Sequence, residues 1–318
     1  MSEAIDQAAD ELTVLPFNLS QARHCLAGHS MDILFYPEIG IDPLTYFLAF
    51  SRLAPVQCTT WGHPDTTGIP NMDFFLSSRH AEPSNAQDHY SERLFLLERF
   101  VMYCYRPKLS AKQLTREQFG FSKNQNLYVC PQHLFKFHPD FDGILRAILR
   151  KDRHAMIILF EGEHAHWTRL LRDRFSRVFP NMLDRVCFQP RISQEDFFSF
   201  LNMSDVILDT PHFNGGYTSM LSFACGAPIV TWPGQFMRTR LTLALYKQMG
   251  ILDCIADSAD AYVDLSLRLA GDHVWRDEIK EKIRTRAHVL FEDHRAISEL
   301  QRFFEWAVKE PHESTSSF

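Results

Sequence analysis

Short hydrophobic runs alternate with longer segments of helical periodicity along most of the chain. Most runs end at a proline, a glycine turn or a polar loop, as buried strands do. The segments between them carry helix start signals, such as Asp42 before Pro43 and Ser193 as an N-cap. This alternation predicts parallel sheets, whose ligands bind beyond the carboxyl ends of the strands. The predicted strands are 31–36, 56–61, 71–77, 93–97, 127–131, 155–160, 185–188, 206–209 and 228–232.

The segment 103–125 separates two such alternating regions. It contains Pro107, several charges and no strong period, so we predict a domain boundary near Arg106. The predicted fold class is α/β, with two Rossmann-like domains that each hold a parallel sheet. The first comprises residues 1–106 and the second residues 107–310, and a loose polar tail at 311–318 follows.

The composition excludes several classes of protein. The 318 residues are 45% hydrophobic, enough to fill two cores, and their net charge of −6 with no long basic run argues against nucleic acid as a partner. No apolar stretch approaches the roughly 20 residues that a membrane-spanning helix needs. The acidic N-terminus lacks an apolar signal core, and the seven cysteines form no Cys-x-x-Cys pair. We therefore expect a cytoplasmic protein with reduced cysteines and no membrane association.

A glycine-rich segment between a strand and a helix is the first candidate for a binding site. Its glycines let the backbone turn tightly and approach a ligand, and the helix that follows presents unpaired N–H groups and about half a positive charge. Such a helix start suits a pyrophosphate, although an ordinary capped helix fits the pattern equally well. The six residues of this glycine turn are Asn214, Gly215, Gly216, Tyr217, Thr218 and Ser219.

The segment 130–139 occupies the corresponding position after the first strand of the second domain. Lys136 can hold a phosphate as a point charge where the negative charge of a leaving diphosphate grows. His133 can hydrogen-bond phosphates or a sugar. The alternatives are a solvated surface lysine and a histidine that hydrogen-bonds at a helix entry. Arg238, beyond a second glycine turn at Gly234, is a further candidate for contact with phosphate, or a solvated arginine.

His63 follows the second strand of the first domain, in a loop that ends at Gly68. It can contact a sugar or an acceptor hydroxyl there, or serve only as a turn residue. We predict no metal site. Asp140-Phe141-Asp142 resembles a metal-binding Asp-x-Asp, but it opens a helix, where acidic residues favour the dipole. The groups at 161–166 lack the i, i+4 histidine spacing that places two ligands on one helix face.

Taken together, the motifs resemble the catalytic region of the O-GlcNAc transferase and SPINDLY family in its bacterial-type form. The resemblance extends over roughly residues 32–270, and its motifs occur in one order. They are Ala54-Pro55-Val56-Gln57, Trp61-Gly62-His63-Pro64 with Thr66-Thr67-Gly68, Met72-Asp73-Phe74, Tyr90-Ser91-Glu92-Arg93-Leu94, Leu134-Phe135-Lys136, Leu208-Asp209-Thr210-Pro211 with Asn214-Gly215-Gly216, and Gly226-Ala227-Pro228-Ile229-Val230-Thr231-Trp232-Pro233-Gly234.

The resemblance implies a GT-B architecture and an inverting transfer without a metal or other cofactor. The sugar would pass from UDP-GlcNAc, or from GDP-fucose as in the plant SPINDLY branch, to Ser or Thr hydroxyls of proteins. By position, Lys136 would bind the diphosphate, and His133 stands where the animal enzymes have a glutamine that contacts it. The glycine turn would hold the phosphates, with Thr218 and Ser219 donating hydrogen bonds.

Three departures from the family pattern leave other functions open. Leu221 stands where relatives carry an acid that holds the ribose hydroxyls. The family's first strand and helix, with a histidine, and its tandem helical repeats have no counterpart here, so we expect an incomplete N-terminal sheet. A non-catalytic relative that binds a nucleotide sugar or a partner protein is therefore one alternative. A GT-B transferase that acts on a small molecule or glycan is another.

Overall fold

The computed structural model describes residues 8–109 and 114–310, so the tail predicted at 311–318 lies outside the described residues. The described residues divide into two compact units. The first contains the residues up to Ser77, Asn85–Leu96 and the chain from Leu300 onward. The second contains Ser78–Ser84 and Leu97–Glu299.

The first unit is built on a four-stranded sheet of order β1-β2-β3-β4. Its strands β1 and β2 are parallel, as are β2 and β3, and β2 is buried along its whole length. Asp42 caps the second helix by accepting from the N–H groups of Leu44 and Thr45, with Pro43 at the first helical position. The elements are α1 (Leu19–Ala27), β1 (Ile33–Tyr36), α2 (Pro43–Leu48), β2 (Val56–Thr60), β3 (Phe74–Ser78) and β4 (Arg93–Leu97).

The second unit is built on a five-stranded parallel sheet of order β7-β6-β5-β8-β9. The chain enters at the central β5, continues outward to β7, and returns to the other side of β5 for β8. Its elements are β5 (Asn126–Cys130), α3 (Pro139–Lys151), β6 (Ala155–Phe160), α4 (Ala165–Val178), β7 (Val186–Gln189), α5 (Gln194–Met203), β8 (Val206–Leu208), α6 (Tyr217–Ala224), β9 (Ile229–Val230), α7 (Leu241–Met249), α8 (Ala259–Gly271) and α9 (His273–Arg286). The last helix, α10 (His294–Ala307), begins in this unit.

The change of direction between β5 and β8 positions the candidate site. At such a switch point the loops that follow the two neighbouring strands diverge and leave a crevice, where open α/β sheets bind ligands. The loop after β5 contains His133 and Lys136, and the loop after β8 leads into the glycine turn. Both predicted phosphate-binding segments therefore lie at the switch point of the second unit.

The division into units differs from the boundary predicted near Arg106. The chain passes to the second unit after Leu96, residues Ser78–Ser84 belong to that unit as well, and α10 begins in the second unit and continues in the first. The described residues of the predicted break, 103–109 and 114–125, belong to the second unit. Within that unit the backbone N–H of Glu292 donates to the Cys104 carbonyl at 2.9 Å. Among the described residues, no helix is long and apolar enough to cross a membrane. All seven cysteines are free thiols.

Candidate functional site

The loops after β5 and β8 meet at Lys136. Its ammonium donates to the carbonyl oxygen of Asn214 at 2.9 Å and to Gln132 Oε1 at 3.1 Å. It also lies 4.6 Å from the centre of the Phe213 ring, a cation–π contact. The half-buried Lys136 ammonium thus faces a carbonyl and an amide oxygen beside the glycine turn. Its side chain is not freely solvated, and its role toward a phosphate stays a prediction.

Gly215 sits where a side chain has no room. A Cβ at this position would collide with Gln132 Nε2 and come within 2.5 Å of Ser219 Oγ. The backbone N–H of Gly215 donates to Asp209 Oδ1 at 2.8 Å, and the backbone N–H of Asn214 donates to the Arg238 carbonyl at 2.7 Å. Close approach of the β5 loop, rather than a left-handed backbone, thus explains the glycine.

The hydroxyls of the glycine turn fall into two environments. Half-buried Thr218 accepts a 2.9 Å hydrogen bond from Gln132 Nε2, which links it to the loop that carries Lys136. Ser219 is buried, and its hydroxyl donates to the Gly215 carbonyl at 3.0 Å and contacts Thr242 Oγ1 at 2.9 Å. The Ser219 hydroxyl therefore supports the turn from within, and its predicted contact with phosphate stays a prediction.

Asp209 is an acidic residue of the site to which the sequence analysis assigned no role. It is fully buried beneath the glycine turn, where its second oxygen accepts from the Thr231 hydroxyl at 2.9 Å. Burial raises the pKa of Asp209 to about 6, although hydrogen bonds and the charge of Lys136 oppose the rise. In turn, burial lowers the pKa of Lys136, and the nearby Asp209 opposes that shift. An acid directly after the apolar run Val206–Leu208 was the available signal.

A pocket of about 310 Å³ adjoins the β5 loop on the side of β6 and β7. His133 lines it, and its ring stacks on Phe135 with centroids 5.3 Å apart. Partial burial of the ring, together with the charges of Lys136 and Arg191, lowers the pKa of His133. Gln132 of the β5 loop lines it as well, and further polar lining comes from the segments after β6 and β7 and from the start of α5: Glu161, Glu163, Arg191 and Gln194. The pocket is thus continuous with the loop that carries Lys136.

The other residues of the second unit that the sequence analysis named lie in or beside the glycine turn. Tyr217 begins α6 and is 48% exposed. The guanidinium of Arg238 lies 4.5 Å from the Phe236 ring, and its carbonyl holds Asn214 as described above. Leu221 is buried in the second turn of α6 and offers no polar group.

His63 lies in the first unit, in the loop that follows β2. Its ring is half-buried and packs over Gly40, where an added Cβ would lie 3.1 Å from His63 Cδ2. Farther along this loop, the hydroxyls of Thr66 and Thr67 and the Thr67 N–H donate to the buried carboxylate of Glu92, which lies directly before β4. The loop is thus firmly held, and the role of His63 toward a substrate stays a prediction.

The Asp-x-Asp sequence does not form a paired carboxylate site. Asp142 is buried on α3, where Arg174 donates to it at 2.8 Å, and burial raises its pKa. Asp140 is exposed and contacts His212 Nε2 at 2.9 Å instead. The two carboxylates therefore have different partners and different exposure.

Solved structures show the class of fold to which these two units belong. One match is the structure of a mutant O-GlcNAc transferase from Thermobaculum terrenum, with a TM-score of 0.83 at 22% identity. The match covers 97% of this chain and 60% of the transferase chain. Another is sucrose-phosphate synthase from Thermosynechococcus elongatus, with a TM-score of 0.62 at 13% identity. That match covers 92% of this chain and 78% of the synthase chain. Together with the parallel sheets, these neighbours confirm the predicted GT-B fold class.

Curated sequences are similar over most of this chain. A probable UDP-N-acetylglucosamine–peptide N-acetylglucosaminyltransferase SPINDLY of Petunia hybrida is 28% identical over 242 residues, which cover 73% of this chain and 25% of the relative. A UDP-glucose:protein N-β-glucosyltransferase of Actinobacillus pleuropneumoniae is 24% identical over 299 residues, 89% of this chain and 46% of the relative. The chain spans about a quarter of the length of the SPINDLY relatives that it matches.

The sequence pattern of glycosyl transferase family 41 matches residues 107–300, more than half of the chain. The chain belongs to this family, as the sequence motifs predicted. The matched range includes the whole of the glycine turn, Lys136 and the adjoining pocket.

Proposed function

We propose that this chain is a glycosyltransferase that moves a sugar from a nucleoside diphosphate donor to Ser or Thr hydroxyls of proteins. The proposed donor is UDP-GlcNAc, with GDP-fucose as the alternative. The relatives named as peptide N-acetylglucosaminyltransferases support the donor and the protein acceptor. The transfer is proposed to invert the anomeric carbon and to require no metal or other cofactor.

The convergence of Lys136 and the amino end of α6 on one crevice carries this proposal. The Lys136 ammonium lies 2.9 Å from the Asn214 carbonyl, at the start of the glycine turn, and Gln132 bridges the same loop to Thr218. On donor binding, Lys136 would exchange a neutral oxygen for a charged phosphate oxygen. Charge-assisted hydrogen bonds are the stronger kind, and the helix dipole adds to the attraction.

The pocket beside His133 supplies a place for the nucleoside. Its volume of about 310 Å³ is within the range of small-molecule sites, and Arg191 and Gln194 provide polar groups for a base or ribose. A diphosphate attached to a nucleoside in this pocket would extend over the β5 loop toward Lys136. Two parts of the donor would thus contact adjoining surfaces of the second unit.

The chemical step follows from where charge develops. As the bond from the anomeric carbon to the diphosphate oxygen breaks, negative charge grows on the phosphate, and fixed positive groups stabilise that charge most in the transition state. An acceptor hydroxyl attacks from the opposite face and forms the new bond with inversion. The departing diphosphate can accept the hydroxyl proton, so a strong protein base is not required. Lys136 and the α6 amino end supply the positive charge that a metal ion supplies elsewhere.

A non-catalytic relative that binds a nucleotide sugar is the second candidate function. Leu221 favours it, because a buried leucine cannot hydrogen-bond the ribose hydroxyls. The two candidates differ in a measurable product. An enzyme releases free nucleoside diphosphate from the donor in the presence of a protein acceptor, whereas a binder leaves the donor intact.

The proposal is tested by calorimetric titration of the whole chain with UDP, UDP-GlcNAc and GDP-fucose, followed by assay of diphosphate release. We expect Lys136→Ala to weaken UDP binding by about ten- to a hundredfold, since a hydrogen bond to a charged group contributes about 1.5–3 kcal/mol. Lys123→Ala is the matched control, because Lys123 is 86% exposed in the same unit. Equal UDP affinity in both variants would disprove the phosphate site. Binding without diphosphate release would favour the second candidate.

A further inference from the structure

A cluster of two histidines and one aspartate lies outside the proposed donor site. His212 Nε2 is 2.9 Å from Asp140 Oδ2, and His138 Nδ1 is 3.3 Å from the same oxygen. The two imidazole rings are 4.1 Å apart between centroids. One ligand atom from each residue lies within 4.8 Å of the other two, and all three side chains are exposed. We refer to these residues as the His–Asp–His cluster.

The cluster joins the two loops that also meet at Lys136. His138 lies two residues beyond Lys136, at the entry to α3, and Asp140 is in the first turn of that helix. His212 lies two residues before Asn214, in the loop after β8. The β5 and β8 loops therefore contact each other through this cluster as well as through Lys136 and Gln132.

We propose that the His–Asp–His cluster binds a late first-row divalent cation of the zinc type. Imidazole nitrogens with a carboxylate oxygen are a ligand set that suits Zn²⁺, with bonds of about 2.0–2.2 Å. Around a tetrahedral ion of that size the ligand atoms stand roughly 3.3 Å apart. The two pairs that include Asp140, at 2.9 and 3.3 Å, are already near that spacing, and the ligand nitrogens of His138 and His212, within 4.8 Å of each other, must close by up to about 1.5 Å. Exposed side chains can make that adjustment by small rotations, and solvent fills the remaining position.

Binding has an identifiable local cost. His138 Nδ1 accepts a hydrogen bond of 3.3 Å from the Asp140 N–H, which caps α3. A cation on Nδ1 would replace that bond, and the positive end of the helix opposes its charge. The bond is long, the site is solvated, and the Asp140 carboxylate offsets the helix charge, so metal–ligand bonds should dominate.

The expected consequence is a tie between the two loops. A bound ion would restrain residues 132–138 relative to residues 210–216, because each segment carries one histidine ligand. This restraint concerns the mobility of the loops and does not depend on which donor, if any, they bind. It can therefore be measured on the chain without a nucleotide.

The test is calorimetric titration of ZnCl₂ into the whole chain after treatment with a chelator. We expect one site in the wild type, with affinity reduced by about tenfold or more in His212→Ala and in His138→Ala, since loss of a ligand should cost at least as much as loss of its supporting contacts. The control is the double variant His164→Ala/His166→Ala, which removes two exposed imidazoles elsewhere in the same unit. Co²⁺ gives a second readout, because its d–d absorption bands report coordination geometry.

Amide hydrogen exchange tests the loop restraint. Zn²⁺ should slow exchange in residues 132–138 and 210–216 of the wild type and leave both segments of His212→Ala unchanged. Equal Zn²⁺ affinity in the wild type and in the His138→Ala/His212→Ala double variant would overturn the proposal. Loss of the strongest site in the His164/His166 variant alone would overturn it too, as would Zn²⁺ binding without any change of exchange in either segment.

Discussion

At the scale of single residues, the candidate site depends on a buried carboxyl group beneath a lysine. Asp209 is fully buried, accepts from Gly215 and Thr231, and shifts its pKa upward to about 6. A raised pKa of an acid means that the folded chain holds this proton more tightly than the unfolded chain does. Stability from this group is therefore present below the unfolded pKa and is lost as the pH rises through about 6.

Asp209→Asn should remove this contribution to the pH dependence of stability. Asparagine keeps an oxygen that can accept from the Gly215 N–H, and its amide can donate to the Thr231 hydroxyl. Relative to the variant, the free energy of unfolding of the wild type should fall by up to about 3 kcal/mol between pH 3.8 and about 6. Urea unfolding of both proteins at several pH values measures this difference in the free energy of unfolding. Asp173→Asn, which changes an exposed carboxyl group, is the control and should show no such change.

Residue chemistry decided which members of the site could be predicted from the sequence. Lys136 and the glycine turn carry charge and backbone freedom that point to phosphate without knowledge of the fold. Asp209 and Gln132 act through neighbours that lie far away in the chain, such as Thr231 and Thr218. Their partners are fixed only when β5, β8 and β9 are adjacent, so sequence alone could not assign them a role.

At the scale of elements, the glycine turn is shaped by contact between two loops. Gly215 lies against Gln132, Thr218 and Ser219, so a side chain there would push the β5 loop away from α6. The turn is thus held by side chains from both loops. Helical periodicity predicted α6, but the distance from the β5 loop to the turn depends on strand order, which the periodicity does not contain.

Gly215→Ala should abolish or strongly weaken binding of UDP while the fold is retained. The added methyl group overlaps three atoms, and overpacking of this kind costs about 1–3 kcal/mol of stability. Gly143→Ala is the matched control, because a Cβ at Gly143 in the middle of α3 meets nothing within 4 Å. That substitution should raise stability by up to about 1 kcal/mol. Thermal unfolding of the two variants measures the expected loss of stability in Gly215→Ala and the expected gain in Gly143→Ala. UDP titration measures the affinity, and unchanged UDP affinity in Gly215→Ala would contradict the explanation.

At the scale of the whole molecule, alternation of strands and helices was sufficient to predict two parallel sheets. The assignment of segments to units was not predictable in the same way. Ser78–Ser84 and the chain from Leu300 onward each belong to a unit other than that of their sequence neighbours. Local composition does not indicate where the chain passes from one unit to the other. That depends on which apolar faces remain to be covered once the sheets have formed.

The end of α10 covers one of these faces in the first unit. Phe303 is buried against Phe74 and Phe95, with ring centroids 5.4 and 4.7 Å apart. Trp306 packs on the same two rings, and the Arg93 guanidinium lies 5.1 Å from its centre. This aromatic cluster joins the last turns of the chain to β3 and β4, so the first unit should depend on a segment far away in sequence.

Phe303→Ala should therefore destabilise the first unit and spare the second. Truncation of a buried phenylalanine costs about 3–5 kcal/mol, so amide exchange in β1 to β3 should accelerate while exchange in β5 to β9 stays near that of the wild type. Ile297→Ala is the control on the same helix, since Ile297 is 44% exposed and its loss should change neither sheet. Equal acceleration in both sheets would show that the two units unfold together, and the independent stability assumed for the first unit would then be wrong.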